Sequence, residues 1–354
     1  MLNGSLKRSL LSAALMVVAG YAATACSDNT TQPNPTTGFQ ETPLFADASG
    51  LGAPQVDPNL INPWGVAVNP TNGYLWVANN HTGTATAYQP GATSASLVVT
   101  IPSATAPTGG APTGIAYNSS SSNSDFVIPG SGPATFLFAE EDGSISAWNQ
   151  TTGATAMVVI DRSAQGAKYK GLTTVGNTLF AANFAGNVVD MFDNTFTFVK
   201  SFTDPGVPSD YGPFNVQSIG GNVYVTFAKH DPTTGDRMVG VGLGYVSIFG
   251  PDGTFTKRFA STGTLNAPWA MAMAPTSFGS FSGDILIGNF GDGRINVFDA
   301  SSGNFIGQLK HAAGDEIALQ GLWALTVGTD GTLYFAAGIQ DEAHGLFGTL
   351  GPKQ

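Results

Sequence analysis

The stretch NPWGVAV, Asn62–Val68, decides the fold, because five later segments repeat its pattern. The six segments are PWGVAV from Pro63, PTGIAY from Pro112, YKGLTT from Tyr169, PFNVQS from Pro213, PWAMAM from Pro268 and LWALTV from Leu322. In each segment the third residue is small and the fourth is aliphatic. The third residues, which are Gly65, Gly114, Gly171, Asn215, Ala270 and Ala324, lie 49, 57, 44, 55 and 54 residues apart. Repeats of about this length that hold several strands are typical of a β-propeller.

The rest of each repeat supplies further strands. The second-strand segments are YLWVANN (74–80), TFLFAEE (135–141), TLFAANF (178–184), NVYVTFA (222–228), DILIGNF (284–290) and TLYFAAG (332–338). Pairs such as Asn72-Gly73 and Asp330-Gly331 separate first and second strands, and they accept the positive φ of tight hairpins. A third strand and a fourth apolar strand follow, as in GYVSIFGPDG (244–253) and TFTKRFA (254–260).

The last repeat predicts how the ring closes. No fourth strand follows HGLFGTL (344–350), whereas ETPLFAD (41–47) precedes the first repeat and has no partner there. A closed ring leaves no open edge of this kind. We therefore predict an all-β, six-bladed β-propeller of four-stranded blades, whose last blade is closed by an N-terminal strand at about residues 39–48. The small third residue would let six inner strands converge at the axis.

The composition excludes several classes of protein. Of 354 residues, 46 are Gly and 23 are Phe, and only 10% are charged. Such a chain is too apolar to be disordered and too rich in Gly to be helical. Short β-branched and aromatic runs between turn residues are instead the pattern of an all-β protein.

The first 25 residues are typical of an export signal. Lys7 and Arg8 precede an apolar run that ends in small residues, and this run is too short and too Ala-rich for a comfortable membrane span. Cys26 is the one cysteine and follows ATA. The segment resembles a bacterial lipoprotein signal, in which that cysteine is lipidated, although Ala23 stands where Leu is commoner. The alternative is an ordinary signal peptide cleaved near Ala25.

The predicted domains follow from this signal. Residues 1–25 would be removed, residues 26–38 would form a lipid anchor and a flexible tether, and residues 39–354 would form the propeller. We expect an exported protein, at the outer membrane or cell surface if Cys26 is lipidated and otherwise periplasmic or secreted. The mature chain would carry 11 Lys and Arg against 24 Asp and Glu, a net charge of −13. This charge argues against nucleic acid and against membrane contact other than through the anchor.

The repeat pattern resembles the six-bladed propellers of the NHL type over about residues 39–352. More narrowly, NPWGVAVNP, LWVANN and YQPG near the start, with GNFGDGRINVFDASSG, GLWALTVG and DGTLYFAAG near the end, resemble an uncharacterised family of exported bacterial propellers. The resemblance implies the fold. It implies little about chemistry, because propellers include both binding modules and enzymes.

Ionisable residues concentrate in the loops that join second to third strands. Equivalent positions on successive blades converge at one face, so we predict a ligand-binding rim there. Its residues would be Trp64, Asn79, Asn80, Glu140, Glu141, Asn183, Phe214, Trp269, Asn289, Trp323 and Asp341. Oxygen ligands suit Ca²⁺ or Mg²⁺, and related six-bladed lactonases hold an axial cation with Asn, Asp and Glu. The candidate metal ligands are Glu140, Asn183 and Asn289, and the candidate proton-transfer residues are His81, His230 and His344.

Three functional hypotheses remain open from the sequence. A binding module would use Trp64, Trp269 and Trp323 as aromatic platforms for a small molecule, glycan or peptide. A metal-dependent lactone or ester hydrolase would use the axial cation, although no compact catalytic motif is present. A structural surface protein would need no convergent site. The Trp residues could instead pack between blades, and the Asn residues could simply close their own loops.

The insertion at 229–245 would be a lid or a mobile loop, and we expect a monomer.

Overall fold

The computed structural model describes residues 38–120 and 122–353. The predicted signal, Cys26 and nearly all of the predicted tether lie outside these residues. The strands before the blades are β1 (Phe39–Ala46) and β2 (Gln55–Val56), and the first blade is β3 (Pro63–Val68), β4 (Leu75–Asn79), β5 (Thr84–Tyr88) and β6 (Leu97–Thr100). The second blade is β7 (Pro112–Tyr117), β10 (Phe136–Glu140), β11 (Ser144–Trp148) and β12 (Met157–Asp161), with a small hairpin of β8 (Val127–Ile128) and β9 (Gly132–Pro133) inserted after β7.

Four more blades follow along the chain. The third is β13 (Tyr169–Val175), β14 (Thr178–Asn183), β15 (Val188–Phe192) and β16 (Phe198–Phe202). The fourth is β17 (Tyr211–Ile219), β18 (Asn222–His230), β20 (Tyr245–Phe249) and β21 (Phe255–Ser261), with β19 (Arg237–Met238) paired to the end of β18. The fifth is β22 (Pro268–Met273), β23 (Ile285–Asn289), β24 (Ile295–Phe298) and β25 (Phe305–Gln308), and the sixth holds β26 (Leu322–Val327), β27 (Leu333–Ala337) and β28 (Leu346–Pro352). Within the described residues, short 3₁₀ helices lie at Gln150–Thr152, Ser163–Gln165 and Thr276–Phe281.

The N-terminal strand closes the sixth blade, as the sequence predicts. Strand β1 pairs antiparallel with β28 along its length, from Phe39 opposite Pro352 to Ala46 opposite Leu346. This pairing gives the last blade its fourth strand, and β2 adds a short parallel strand outside it. The prediction of an all-β propeller with six four-stranded blades is confirmed.

The hydrophobic core lies between neighbouring blades. Trp76 of the first blade packs against Phe136 and Trp148 of the second, with ring centroids 4.7 and 4.5 Å apart. Each interface buries aromatic and aliphatic side chains from two facing sheets, so each blade depends on its neighbours for its core.

The small third residue of the repeat permits close approach of neighbouring inner strands. A Cβ added at Gly114 would lie 2.5 Å from the backbone N of Leu172, and one at Gly171 would lie 2.1 Å from Oδ1 of Asn215. Both distances are shorter than atoms tolerate. The repeated small residue is therefore a packing requirement of the ring, and it has the same physical cause in both blades.

Among the residues that the structure describes, no helix is long and apolar enough to cross a membrane.

Candidate functional site

The Trp residues of the repeat form a plug at the propeller axis. Trp64 stacks on Trp323 with centroids 3.6 Å apart, and Trp269 meets both rings edge-on at 6.4 and 5.8 Å. Phe214, at the same repeat position in the fourth blade, lies 5.8 Å from Trp323. Trp64, Trp269 and Trp323 are only 2%, 4% and 0% exposed. The predicted aromatic rim is therefore a set of rings packed on one another at the axis and closed to solvent.

Two cations lie against this plug. Lys170 holds the Trp position of the third repeat, and its Nζ is 4.9 Å from the centroid of Trp64. The guanidinium of Arg237 lies 4.4 Å from the ring of Phe290 and 5.5 Å from that of Trp323. Cation–π attraction of this kind strengthens when the cation is removed from water, and Lys170 is almost fully buried.

Carboxylates of three blades neutralise these cations. Lys170 Nζ lies 2.5 Å from Glu141 Oε1 and 3.8 Å from Asp236 Oδ1. Arg237 lies 2.6 Å from Asp236 and 2.5 Å from Glu342. Burial raises the pKa of Glu342, although Arg237 acts in the opposite direction. The plug with this ion network closes the axis on one side of the ring, which we call the plug face.

The insertion at 229–245 builds part of this network. Strand β18 extends to His230 and pairs with β19, with Lys229 opposite Met238 and His230 opposite Arg237. The segment was predicted to be a lid or a mobile loop. Strand pairing in its first half instead carries Arg237 over the plug.

The predicted amides bond within their own loops or to the next blade. Asn183 Oδ1 accepts from the N–H groups of Lys168 and Gly186, and its Nδ2 donates to Asp190. Asn289 makes the equivalent loop contacts, from the N–H of Asn266 to Oδ1 and from Nδ2 to the Thr264 carbonyl and to Asp292. Asn79 donates to Thr84 and Thr86, and Asn80 donates to the Pro112 carbonyl. Asn183 and Asn289 therefore hold the loops around them, whereas Asn80 links the first blade to the second.

Glu140 holds the corresponding position in the second blade and differs in its chemistry. Its carboxyl group is fully buried, and neither oxygen makes a hydrogen bond of good geometry. Burial raises its pKa well above the usual range, the charges of Asp142 and Glu141 add to this effect, and the nearby N–H of Ala111 offsets it only in part. Glu140 is consequently a buried acid that favours its protonated form.

The three candidate histidines have separate local partners. His81 is exposed, with Nε2 3.2 Å from Nδ2 of Asn62. The Nε2 of His230 lies 2.6 Å from Oδ1 of Asn187, and burial lowers the pKa of this imidazole. The Nδ1 of His344 lies 2.8 Å from Oδ2 of Asp47.

The described residues include no group of three or more His, Cys, Asp or Glu placed to hold a metal ion. Among the predicted rim residues, Glu141 and Asp341 are the charged side chains that reach the surface, and Asp341 lies beside a small cavity with Glu342 and Phe290. The ligand set Glu140, Asn183 and Asn289 stays a sequence prediction.

A large cavity opens on the other side of the ring. It runs from Trp269 and Asn215 beneath the plug to the hairpins that join inner to second strands, at Gly176, Gly220 and Gly331. Its volume is about 900 Å³, and the inner strands of all six blades line it. We call this cavity the central funnel and its side of the ring the hairpin face.

Among the described residues, the wall of the funnel carries no side chain that is charged at neutral pH. None of the described residues that line it is Asp, Glu, Lys, Arg or His. The wall is mostly Ala, Val, Ile, Leu and Met, and its polar side chains are hydroxyls and amides, among them Ser119, Thr276 and Gln217. A cavity of this size and character fits an uncharged ligand, because a buried charge without a counter-charge is costly.

The sequence predicted a rim on the plug face, and this rim stays a prediction; the sequence analysis did not identify Lys170, Arg237 or the funnel. The signal for Lys170 was its place at the Trp position of the third repeat. The signal for the funnel was the absence of charge beyond that position in all six first-strand segments. No feature of the sequence indicated that Arg237 would contact Trp323, because this contact depends on the pairing of β19 with β18 within the insertion.

The fold and its closed ring define the chain as a six-bladed β-propeller. The WD40 domain of Neurospora crassa Pan2 superposes with a TM-score of 0.53 at 13% identity, covering 91% of this chain and 97% of that one. Virginiamycin B lyase from Staphylococcus aureus gives 0.51 at 13% identity, with coverages of 88% and 99%. A luciferin-regenerating enzyme gives 0.52 at 10% identity, with coverages of 82% and 91%. At these identities the likeness shows the fold alone.

Sequence relatives place the chain in a family. Two uncharacterised proteins of Acanthamoeba polyphaga mimivirus are each 34% identical to it, over 314 and 323 residues. The alignments cover 84% and 87% of this chain and 76% and 84% of the viral proteins. No family model matches. The chain belongs to the same family as these two viral proteins, whereas the bacterial resemblance noted above stays a prediction.

Proposed function

We propose that this propeller is a binding module whose ligand enters the central funnel from the hairpin face. The observation that carries the proposal is the funnel of about 900 Å³, lined by all six inner strands and by no charged side chain among the described residues. Its ligand would be uncharged and partly apolar. The buried plug supports this choice of face, because it closes the axis on the side where the sequence predicted a rim.

The test is a screen of uncharged and charged fragments by saturation-transfer NMR on the propeller domain. Gln217→Trp fills the funnel, because Gln217 lines it and is only half-buried. Gln165→Trp is the matched control, since Gln165 is exposed and lies outside the funnel. We expect several uncharged fragments to bind wild type and the control, and to lose binding in Gln217→Trp. Hits that Gln217→Trp leaves unchanged would reject the funnel as the site.

We also propose export and tethering through Cys26. Support comes from Lys7 and Arg8, the apolar run after them and the small residues before the cysteine. We further propose that the propeller is of the NHL type, on the basis of the spacing of its repeats. Labelling with radioactive palmitate in a bacterial host tests the anchor. Cys26→Ser should abolish the label and release the protein from membranes, and a Cys26→Ser protein that stays membrane-bound would reject tethering.

A further inference from the structure

The inner strands that line the funnel are open edges of their sheets. In each blade the first strand is terminal, as in the order β22-β23-β24-β25 of the fifth blade. An edge strand has no strand partner for its outward-facing N–H and C=O groups. In this ring those groups face the neighbouring blade or the funnel.

Side chains of neighbouring blades satisfy part of these edges. Thr326 donates to the Val66 carbonyl at 2.9 Å, and Thr174 donates to the Tyr117 carbonyl at 2.7 Å. The N–H of Ser218 donates to the hydroxyl of Thr173 at 3.1 Å. These bonds link the sixth blade to the first, the second to the third and the third to the fourth.

Among the described residues, other blades leave a run of backbone groups unbonded on both β22 and β26, and β22 is set apart by the exposed side chain of Met273 and by its neighbour Gln217. Asn215 of the fourth blade donates to the Trp269 carbonyl of β22 at the closed end, but no described residue of another blade bonds to Ala270–Met273. These four residues line the funnel, and Met273 is 44% exposed. Gln217, on the neighbouring inner strand, lines the same cavity, and its side-chain amide has no hydrogen-bond partner among the described residues.

The chemistry of the funnel wall around β22 and Gln217 suits a peptide better than a glycan. The rings of Trp64, Trp269 and Trp323 are buried in the plug. Tyr117 is a partly buried aromatic residue of the wall and packs edge-on against Phe136, and no carboxylate lines the wall. An extended peptide offers the complementary row of backbone N–H and C=O groups to an open strand edge, and its side chains meet the apolar wall. The four residues Ala270–Met273 would pair over about 13 Å.

We propose that the funnel takes an extended, uncharged peptide segment that pairs through its backbone with the edge of β22, with the Gln217 amide bonded to the peptide backbone. This inference rests on the proposed function and names its ligand class. The peptide enters from the hairpin face and ends near Trp269. Its side chains are apolar or small and polar, since the wall offers no counter-charge.

The test is selection from a displayed library of random peptides on the propeller domain, with counter-selection on Gln217→Trp. Enriched peptides should share an uncharged segment and should bind the Gln165→Trp control as they bind wild type. Each is then made with alternate backbone amides N-methylated, which removes the donors but keeps the side chains. We expect about a tenfold loss of affinity for each pair of hydrogen bonds removed.

Three results would overturn this inference. N-methylated peptides could bind as tightly as their parents, the enriched segments could be charged, or a neutral glycan array could yield funnel-dependent binders while no peptide does. If uncharged fragments still bind in a Gln217-dependent way, the proposed function stands and only the peptide assignment fails. If no class of ligand depends on Gln217, both fail.

Discussion

At the scale of single residues, Glu140 shows how one position of a repeat can change its chemistry. Blades one, three and five use Asn79, Asn183 and Asn289 there, and the amides of Asn183 and Asn289 satisfy loop groups with both atoms. Glu140 offers a carboxyl group that finds no bond of good geometry and takes up a proton when buried. Its cost to stability should therefore depend on pH.

Glu140→Gln should flatten the pH dependence of stability. The pKa of Glu140 is raised on folding above its usual 4.5, so its favourable contribution is complete below pH 4.5 and is lost as pH rises towards the folded value. We expect the variant to gain about 1–3 kcal/mol over wild type at pH 8 and little at pH 4. Urea unfolding from pH 4 to 8 measures this. Asp341→Asn, an exposed acid without an ion-pair partner among the described residues, is the control.

The plug gives a second prediction at this scale. Trp323→Ala removes a fully buried ring that stacks on Trp64 and donates from its indole N–H to Asn62. We expect a loss of about 3–5 kcal/mol in the free energy of unfolding. In the same variant, acrylamide should quench the fluorescence of Trp64, which the ring of Trp323 covers in wild type. Unchanged stability would contradict the plug as a structural element.

At the scale of elements, the inner strands explain most of what the sequence could predict. Six small residues at one position and six aliphatic residues at the next indicated the number of blades. The missing fourth strand of the last repeat and the unpartnered segment at 41–47 indicated how the ring closes. The face that carries the funnel could not be predicted this way. It depends on the packing of the Trp64, Trp269 and Trp323 rings against one another. It also depends on the contact of Arg237, from the insertion, with Trp323, and the spacing of the repeats predicts neither contact.

Gly114→Ala tests the packing of inner strands. The added Cβ would lie 2.5 Å from the backbone N of Leu172, so the strands must separate. We expect a loss of about 1–3 kcal/mol, measured by thermal or urea unfolding. Gly351→Ala, on β28, is the control, because nothing lies within 4 Å of its added Cβ. Equal effects of the two changes would contradict the account.

The closing strand carries its own pH-dependent clamp. His311 Nε2 lies 2.9 Å from Glu41 on β1, and Nδ1 lies 2.6 Å from Asp315. The bond to Glu41, followed by that to Asp315, raises the pKa of His311 above 6.5. This stabilisation is therefore complete below pH 6.5 and is lost as pH rises through the folded value.

Glu41→Gln should consequently destabilise the protein more at pH 5.5 than at pH 8.5. The groups are partly exposed, so we expect a difference of about 0.5–1 kcal/mol. Unfolding midpoints at the two pH values measure it, with Glu316→Gln, which removes the partner of Arg294, as a control lacking histidine. An equal loss at both pH values would remove His311 from the clamp.

At the scale of the whole molecule, the ring has two unlike faces. The plug face is charged, aromatic and closed at the axis, whereas the hairpin face opens into an uncharged funnel. The wall of the funnel comes from six segments far apart in sequence, which the closed ring brings together. The proposed binding function therefore depends on all six blades together, because no single repeat contains the funnel wall.

The most direct measurement is a crystal structure of the propeller domain soaked with the strongest uncharged fragments from the NMR screen. The account predicts fragment density inside the funnel, between Trp269 and Gly220, and none in Gln217→Trp crystals. Density on the plug face, around Arg237 and Asp341, with an empty funnel would contradict it.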